Sequence, residues 1–446
     1  MPYKPHVGFP TLRLFTAGIL TAFSSATLAA GFALIEQSAS QMGNAFAGAS
    51  SFAGDASTIY FNPAGLTRVP HQLIVGGHII RTSADFDGSA TTILGSPVTG
   101  GEGSDAGDTA LVPNLYYALP LNQGTVFGLG VNVPFGLSTE YDDDWLGRYQ
   151  AIKSEVRTVN INPTLAFKVN NDFSIGVGIS FQYIEAELSQ AIDQGSLCVA
   201  QNGAATCTAL GLTPQNNDAL ARIEGDDWSM GYNFGFLFQP TANTRIGLSY
   251  RSKVKQRLQG DAKFSNAHPA FTGSGLFVDA GAEAGIDLPQ SASLSVYHDV
   301  NSQWSVMADL TWTGWSNFDE LRVKYDDSDS NQDDSVTDES WNNNLRYALG
   351  VDYRPDSSWT FRAGAALDKT PIPSASHRTP RIPGEDRIWL SLGFGYKASR
   401  AVTVDVGYSH LFVDDPEMNH TSTGGNINGE YDASVDILSA QVVWNI

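Results

Sequence analysis

From about residue 71 to its end, the chain repeats segments of about ten residues with apolar side chains at every second position. No run in that stretch reaches the ~20 apolar residues that a spanning helix needs. Leu345, Tyr347, Leu349, Val351 and Tyr353 interleave with Arg346, Ala348, Gly350, Asp352 and Arg354, and the same period of two recurs over residues 246–251 and 402–409. A strand sends these two sets to opposite faces, so one face can meet lipid and the other a polar lumen. That is the pattern of a transmembrane β-barrel.

A soluble β-sandwich also alternates, but its connections do not sort by length. Here short polar turns near residues 121–123, 170–172, 241–243, 301–302, 356–358 and 398–400 separate long Gly, Asp and Ser-rich stretches near 83–110, 135–155, 188–226, 259–286, 324–340, 370–386 and 414–433. Short periplasmic turns and long outer loops are the asymmetry of a bacterial outer-membrane barrel. Counting between them predicts about 14 strands, an even number that returns both barrel ends to the periplasmic side, and closure leaves no sheet edge in lipid. The expected fold is therefore all-β, a 14-stranded antiparallel transmembrane β-barrel with a small N-terminal plug inside the lumen. A barrel of that width is not filled by its own side chains.

Residues 1–29 read as a secretory signal peptide. Lys4 and Arg13 precede an apolar core over residues 14–23 and small residues over 26–30, and the core is too short to span a bilayer. Residues 30–70 are expected to form the plug and 71–446 the barrel. The plug segment has little strand pattern, short helical turns are expected over 38–49, and Pro63 fixes a bend after Asn62. Phe32, Leu34, Ile35, Phe46, Phe52, Ile59, Tyr60 and Phe61 are too apolar for a solvated tail.

Loss of Lys4 and Arg13 with the leader takes the net charge from −21 to −23, which excludes nucleic acid as a partner. Acidic outer loops suit a surface beside lipopolysaccharide, where divalent cations bridge carboxylates to lipid phosphates. Cys198 and Cys207 share one polar segment and are expected to form a loop disulfide in an oxidising compartment. Neither a metal site nor a cofactor is expected. The acidic run over 326–334 lacks the glycine of an EF-hand loop and reads as a solvated outer loop.

Several motifs, in order, resemble the FadL/TodX family of outer-membrane transporters of fatty acids and hydrocarbons, across the whole mature chain. They are Ala30-Gly31-Phe32, Asn62-Pro63-Ala64, Leu288-Pro289, Trp312-Thr313-Gly314-Trp315-Ser316-Asn317-Phe318, Phe361-Arg362-Ala363-Gly364, residues 368–373, and Ile382-Pro383-Gly384-Glu385-Asp386-Arg387-Ile388-Trp389-Leu390-Ser391. The resemblance implies a monomer in the Gram-negative outer membrane that takes up long-chain fatty acids or similar hydrophobic compounds without an energy source. It also implies a plug with no open axial channel, a ligand pocket touched by the plug's N-terminus, and a lateral exit at an inward kink in the third strand.

That kink maps onto Val131-Asn132-Val133-Pro134-Phe135-Gly136-Leu137. Pro134 has no ladder donor and Gly136 permits unusual backbone angles, so the segment either opens the wall or ends the strand at the rim. Phe32 matches the plug terminus that contacts ligand, while Asn62 and Pro63 hold the plug's bend against the barrel. The ligand-binding and gating candidates are thus Phe32, Asn62, Pro63, Pro134, Phe135 and Gly136.

One departure concerns the headgroup. A carboxylate entering an apolar pocket needs a basic partner, yet the strand after Tyr183 continues with Glu185, Glu187 and Gln190, and Asp338-Glu339 precede Trp341. Arg157, Arg251, Arg346, Arg362 and Arg387 remain as cations among which the sequence does not choose. Neutral aromatic or alkane hydrocarbons are the alternative cargo.

Two other functional classes have discriminating features. A barrel-embedded lipid hydrolase would need a nucleophile constellation, but no Gly-x-Ser-x-Gly elbow occurs and the histidines have no evident Ser partner, so no enzyme is expected. An open porin is opposed by the plug.

Overall fold

The computed structural model describes residues 31–326, 328 and 330–446, so the expected leader and its cleavage point lie outside the described residues. The expected barrel is there. Its strand segments begin with β1 (Gln72–Thr91), β2 (Thr109–Pro120), β3 (Thr125–Asn132), β4 (Gly136–Glu140), β5 (Lys153–Lys168), β6 (Phe173–Ile192) and β7 (Ala219–Thr241). They continue with β8 (Thr244–Arg251), β9 (Val254–Ser265), β10 (Ala280–Leu288), β11 (Ser291–Asp299), β12 (Trp304–Thr313), β13 (Glu320–Tyr325) and β14 (Ser335–Asp338). The last are β15 (Asn344–Tyr353), β16 (Trp359–Asp368), β17 (Arg387–Lys397), β18 (Val402–Val413), β19 (Glu417–Ser422) and β20 (Gly425–Asn445).

All pair antiparallel in one sheet. β1 closes onto β20 in unbroken register from Gln72↔Asn445 to Thr91↔Asn426. The pairs β3/β4, β8/β9, β10/β11 and β12/β13 each make one interrupted crossing, while β14 and β19 are arms of outer hairpins. The wall therefore has fourteen strands.

Alternation sorts the side chains as the period of two requires. On β15, Tyr347 and Leu349 are exposed, Leu349 at 68%, while Arg346, Ala348 and Asp352 turn into the lumen at 5% or less. Aromatic side chains sit beside the short turns on the lipid face, with Trp304 against Tyr353 and Trp359 against Tyr396 at ring-centroid distances of 4.5 and 4.6 Å. They form an interfacial girdle. The six short turns fall where the sequence places them. The long outer segments are shorter than composition suggests, because β1, β6, β7, β9, β10 and β20 continue as paired strands into Gly, Asp and Glu-rich sequence. Above the membrane an outward polar side chain carries no penalty, so polarity there marks water rather than the end of a strand.

The plug fills the lumen with helical turns at Ala39–Met42, Ala49–Phe52 and Thr58–Phe61 and a 3-10 turn at Pro63–Arg68. Asn62 caps that last turn, its Oδ1 accepting from Ala64 N at 3.0 Å with Pro63 in the first helical position. Wall glycines let the plug approach closely. A Cβ at Gly364 would overlap the Asn44 backbone, and one at Gly235 would overlap Asn62 Oδ1. A buried polar contact fixes the plug to the wall: Gln441 Nε2 donates to Asp55 at 3.2 Å, and within the wall it also donates to Asp405 at 3.2 Å, which pairs with Arg362 at 2.8 Å.

A pocket between the plug and the kinked third strand

β3 and β4 are one strand broken at residues 133–135. Below the break β3 pairs with both β2 and β5, whereas above it β4 pairs with β5. Among the described residues, the β2–β3 ladder stops at Leu115↔Val131, and Thr109–Asn114 of β2 have ladder partners on β1 only. Pro134 thus interrupts the strand rather than ending it. Thr158 holds the inward turn, because its Oγ1 accepts from Phe135 N at 3.0 Å and donates to Phe135 O at 2.6 Å.

The first described residues of the plug attach to this break. Leu34 N donates to Pro134 O at 2.8 Å, Gly136 N donates to Phe32 O at 3.0 Å, and Ala33 faces Phe135 as a bridge pair. Gln37 Nε2 adds a bond to Val133 O at 2.7 Å. The Phe32 ring is buried in an aromatic box, with centroids 4.9 Å from Trp315, 5.7 Å from Phe318, 6.0 Å from Phe135 and 6.1 Å from Trp341.

A cavity of about 140 Å³ adjoins that box. Its apolar lining includes Leu34, Phe61, Phe135, Tyr250 and Trp315, and its polar lining includes Glu36, Arg251, Asp309, Arg346, Asp368 and Arg387. Arg387 pairs with Asp368 at 2.5 Å, while Asp309 accepts from Ser293 at 2.8 Å, from Thr311 at 2.7 Å and from Ser295. Arg251 donates to Tyr60 O at 3.0 Å and Ser180 Oγ at 3.1 Å.

The fold brings Phe32, Pro134, Phe135 and Gly136 to one point, with Pro63 in the cavity lining. Asn62 lies apart from it. Its Nδ2 donates to Ser50 O at 2.6 Å and to Phe236 O at 2.9 Å, tying the plug to β7. Cys198 and Cys207 are bonded in an outer-loop knob built of the helices Gln194–Asn202 and Ala204–Ala209, with Cα atoms 5.8 Å apart.

Other pocket and loop residues carry no local sequence signal. Glu36 is a lone acid in an apolar run, and its neighbours Arg346 and Arg387 lie over 300 residues away in sequence. Arg157 alternates with the inward Val156 and pairs with Glu155, away from the pocket. Arg381, from the loop over 369–386, reaches the place where the sequence offers acids alone: its Nη2 donates to Gln190 at 2.7 Å and its Nη1 to Ser154 at 2.9 Å. Burial lowers its pKa to about 10, against the attraction of Glu339. Among the described residues, no group of three or more His, Cys, Asp or Glu side chains is placed to hold a metal ion.

The family model described as outer membrane protein transport protein (OMPP1/FadL/TodX) matches residues 20–445. The chain belongs to the FadL/TodX family. Against the long-chain fatty acid transport protein of Escherichia coli O6:H1 this FadL/TodX member is 33% identical over 418 residues, covering 89% of this chain and 91% of the relative. Against outer membrane protein P1 of Haemophilus influenzae it is 30% identical over 421 residues, covering 89% of each. The crystal structure of a Pseudomonas aeruginosa FadL homologue superposes with a TM-score of 0.84 at 28% identity, covering 93% of this chain and 99% of that one. The Pseudomonas putida toluene transporter TodX, at 18% identity and a TM-score of 0.65 over 88% of this chain and 94% of that one, shares the fold. The family and the barrel place the protein in the Gram-negative outer membrane.

Proposed function

We propose that the protein carries long-chain fatty acids or similar hydrophobic compounds passively across the outer membrane, by way of the cavity between the plug and the third strand. The observation that supports this most is the junction of three features at one place: an amphipathic cavity, the plug terminus and a break in the wall's ladder. An apolar chain gains roughly 25 cal/mol for each Å² it withdraws from water, so the polar lipopolysaccharide layer is the obstacle and a sheltered apolar path bypasses it.

In this reading, cargo displaces Phe32 from its aromatic box. The hydrogen bonds from Leu34 and to Phe32 then loosen, and the cargo leaves sideways between β2 and β4, where Thr109–Asn114 have no ladder partner on that side among the described residues. Each chain closes its own barrel, so transport needs no partner subunit. The outward rows of Lys153, Glu155, Arg157, Glu187 and Arg222 face the lipopolysaccharide headgroups. The protein performs no chemistry on its cargo.

The test is reconstitution in a planar bilayer and in liposomes. The proposal predicts saturable transfer of a labelled long-chain fatty acid without steady ion conductance. A large steady conductance would instead identify an open porin.

A further inference from the structure

A row of amide side chains crosses the inner face of the wall between the cavity and the gap. Asn132↔Asn160 and Asn160↔Gln182 are successive rungs across β3, β5 and β6. Asn114 of β2 stands with Asn132 one position beyond the last β2–β3 pair, Leu115↔Val131. Asn162 follows two residues along β5, and Asn233 meets it from β7 across Gly178, where a Cβ would come within 2.4 Å of Asn233 Oδ1. One end of the row, Asn233, lines the cavity. The other, Asn114, ends the stretch of β2 that has ladder partners on β1 only.

All six amides are at most 4% exposed, yet the protein itself satisfies them only in part. Asn160 Nδ2 donates to Asn132 Oδ1 at 3.1 Å, Asn162 Nδ2 to Asn233 Oδ1 at 3.0 Å and Asn114 Nδ2 to His78 Nε2 at 2.8 Å. Left without a partner are three acceptors, Asn114 Oδ1, Asn160 Oδ1 and Asn162 Oδ1, and two donors, Gln182 Nε2 and Asn233 Nδ2. Buried polar groups in folded proteins are nearly always satisfied, so unmet atoms gathered in one row need an explanation. Both kinds of hydrogen-bonding atom are on offer there, and the six side chains bring no charge.

We propose that the amide row is a binding track for the hydroxyl of a long-chain alcohol on its way from the cavity to the gap. The assignment rests on the hydrophobic-uptake reading and adds an uncharged, hydroxyl-bearing cargo to it. A hydroxyl drawn out of water costs free energy unless its hydrogen bonds are replaced. It donates one hydrogen bond and accepts others, so it matches a row of alternating amide acceptors and donors. A methyl ether of the same chain accepts but does not donate, and a carboxylate anion likewise has no hydrogen to give to the three open oxygens.

The experiment is equilibrium binding of radiolabelled 1-hexadecanol, its methyl ether and the hexadecanoate anion to the purified full-length barrel in detergent at alkaline pH. Heat-modifiable gel migration checks folding. The unaltered protein is expected to bind the alcohol about fivefold more tightly than the ether, the worth of one net hydrogen bond. The double variant Asn132→Leu, Asn160→Leu replaces both members of a bonded pair by apolar side chains of similar size. In it the alcohol is expected to fall to the ether's level, with ether and hexadecanoate unchanged. Gln182→Met leaves the Asn132–Asn160 and Asn162–Asn233 bonds in place, and it is expected to lose part of the preference even where the double variant does not fold. Equal binding of alcohol and ether by the unaltered protein would overturn the track, leaving the amides a role in the wall alone. So would an undiminished preference in Gln182→Met or in the folded double variant, or an equal loss of all three compounds. If none of the three binds the unaltered protein, the uptake reading itself fails.

Discussion

Leu34 donates its backbone N–H to the carbonyl of Pro134 at 2.8 Å, so the plug's N-terminal segment is hydrogen-bonded to the residue that breaks the third strand. The flanking bond from Gly136 N to Phe32 O makes a two-bond ladder of it. In the proposed route, cargo that shifts Phe32 strains these two bonds and so reaches the wall at the break.

Phe32→Ala empties the aromatic box. Truncating a buried Phe costs about 3–5 kcal/mol when the site does not collapse, and here the loss falls on the segment before residue 37. Amide exchange measured by mass spectrometry should quicken at Leu34 and Gly136 while peptides from β15–β18 keep their protection.

Asn62→Ala strips hydrogen-bond partners from Ser50 O and Phe236 O and removes the cap on Ala64 N. Each orphaned buried group costs about 1–3 kcal/mol. The plug over residues 49–68 should then exchange faster than in the unaltered protein, with the barrel still folded. Gly235→Ala should act the same way, since its new methyl displaces the Asn62 side chain.

Glu339 gives the outer loops a pH dependence. Burial pushes its carboxyl from 4.5 up to about 8, against the Trp341 Nε1 donor at 3.0 Å and the charge of Arg381. The folded loop thus holds a proton that the unfolded chain releases above about pH 4.5. The resulting stability is complete below that pH, declines as pH rises toward 8, and changes little beyond. The midpoint of heat unfolding should fall between pH 5 and pH 8.5, and Glu339→Gln should flatten the slope.

Reduction of Cys198–Cys207 should loosen the outer knob alone. The bond closes a short loop, for which about 2–3 kcal/mol is typical. Protease should then cut near residues 194–212, with the barrel's gel shift unchanged.

The barrel was legible because alternation and turn spacing are local signals. Strand count, the six short turns and the plug's bend at Pro63 follow from residues next to one another, whereas Pro134 left two readings, an opening in the wall or a strand end at the rim, between which the pairing of β3 and β4 with β5 decides. The pocket was legible only in part. Phe32 and Phe135 stand in motifs, but Arg346, Arg387, Asp368 and Glu36 meet through the closure of the barrel around the plug. Arg381 escaped for a related reason: it reaches Gln190 and Ser154 from a loop whose path no periodicity describes. Loop lengths are not legible in polar composition, because several strands continue above the membrane through Gly, Asp and Glu-rich sequence.

In the proposed route, cargo passes by parting the plug terminus from the broken strand. Ala33 and Phe135 form a non-hydrogen-bonded antiparallel pair, a geometry with Cα atoms about 4.5 Å apart that a disulfide can span. The measurement is uptake of labelled oleate by cells carrying the Ala33→Cys, Phe135→Cys double variant, before and after addition of a reductant. Uptake that is blocked while the pair is oxidised and recovers on reduction is the predicted result. Equal uptake in both states, with the cross-link verified by mass spectrometry, would contradict the route.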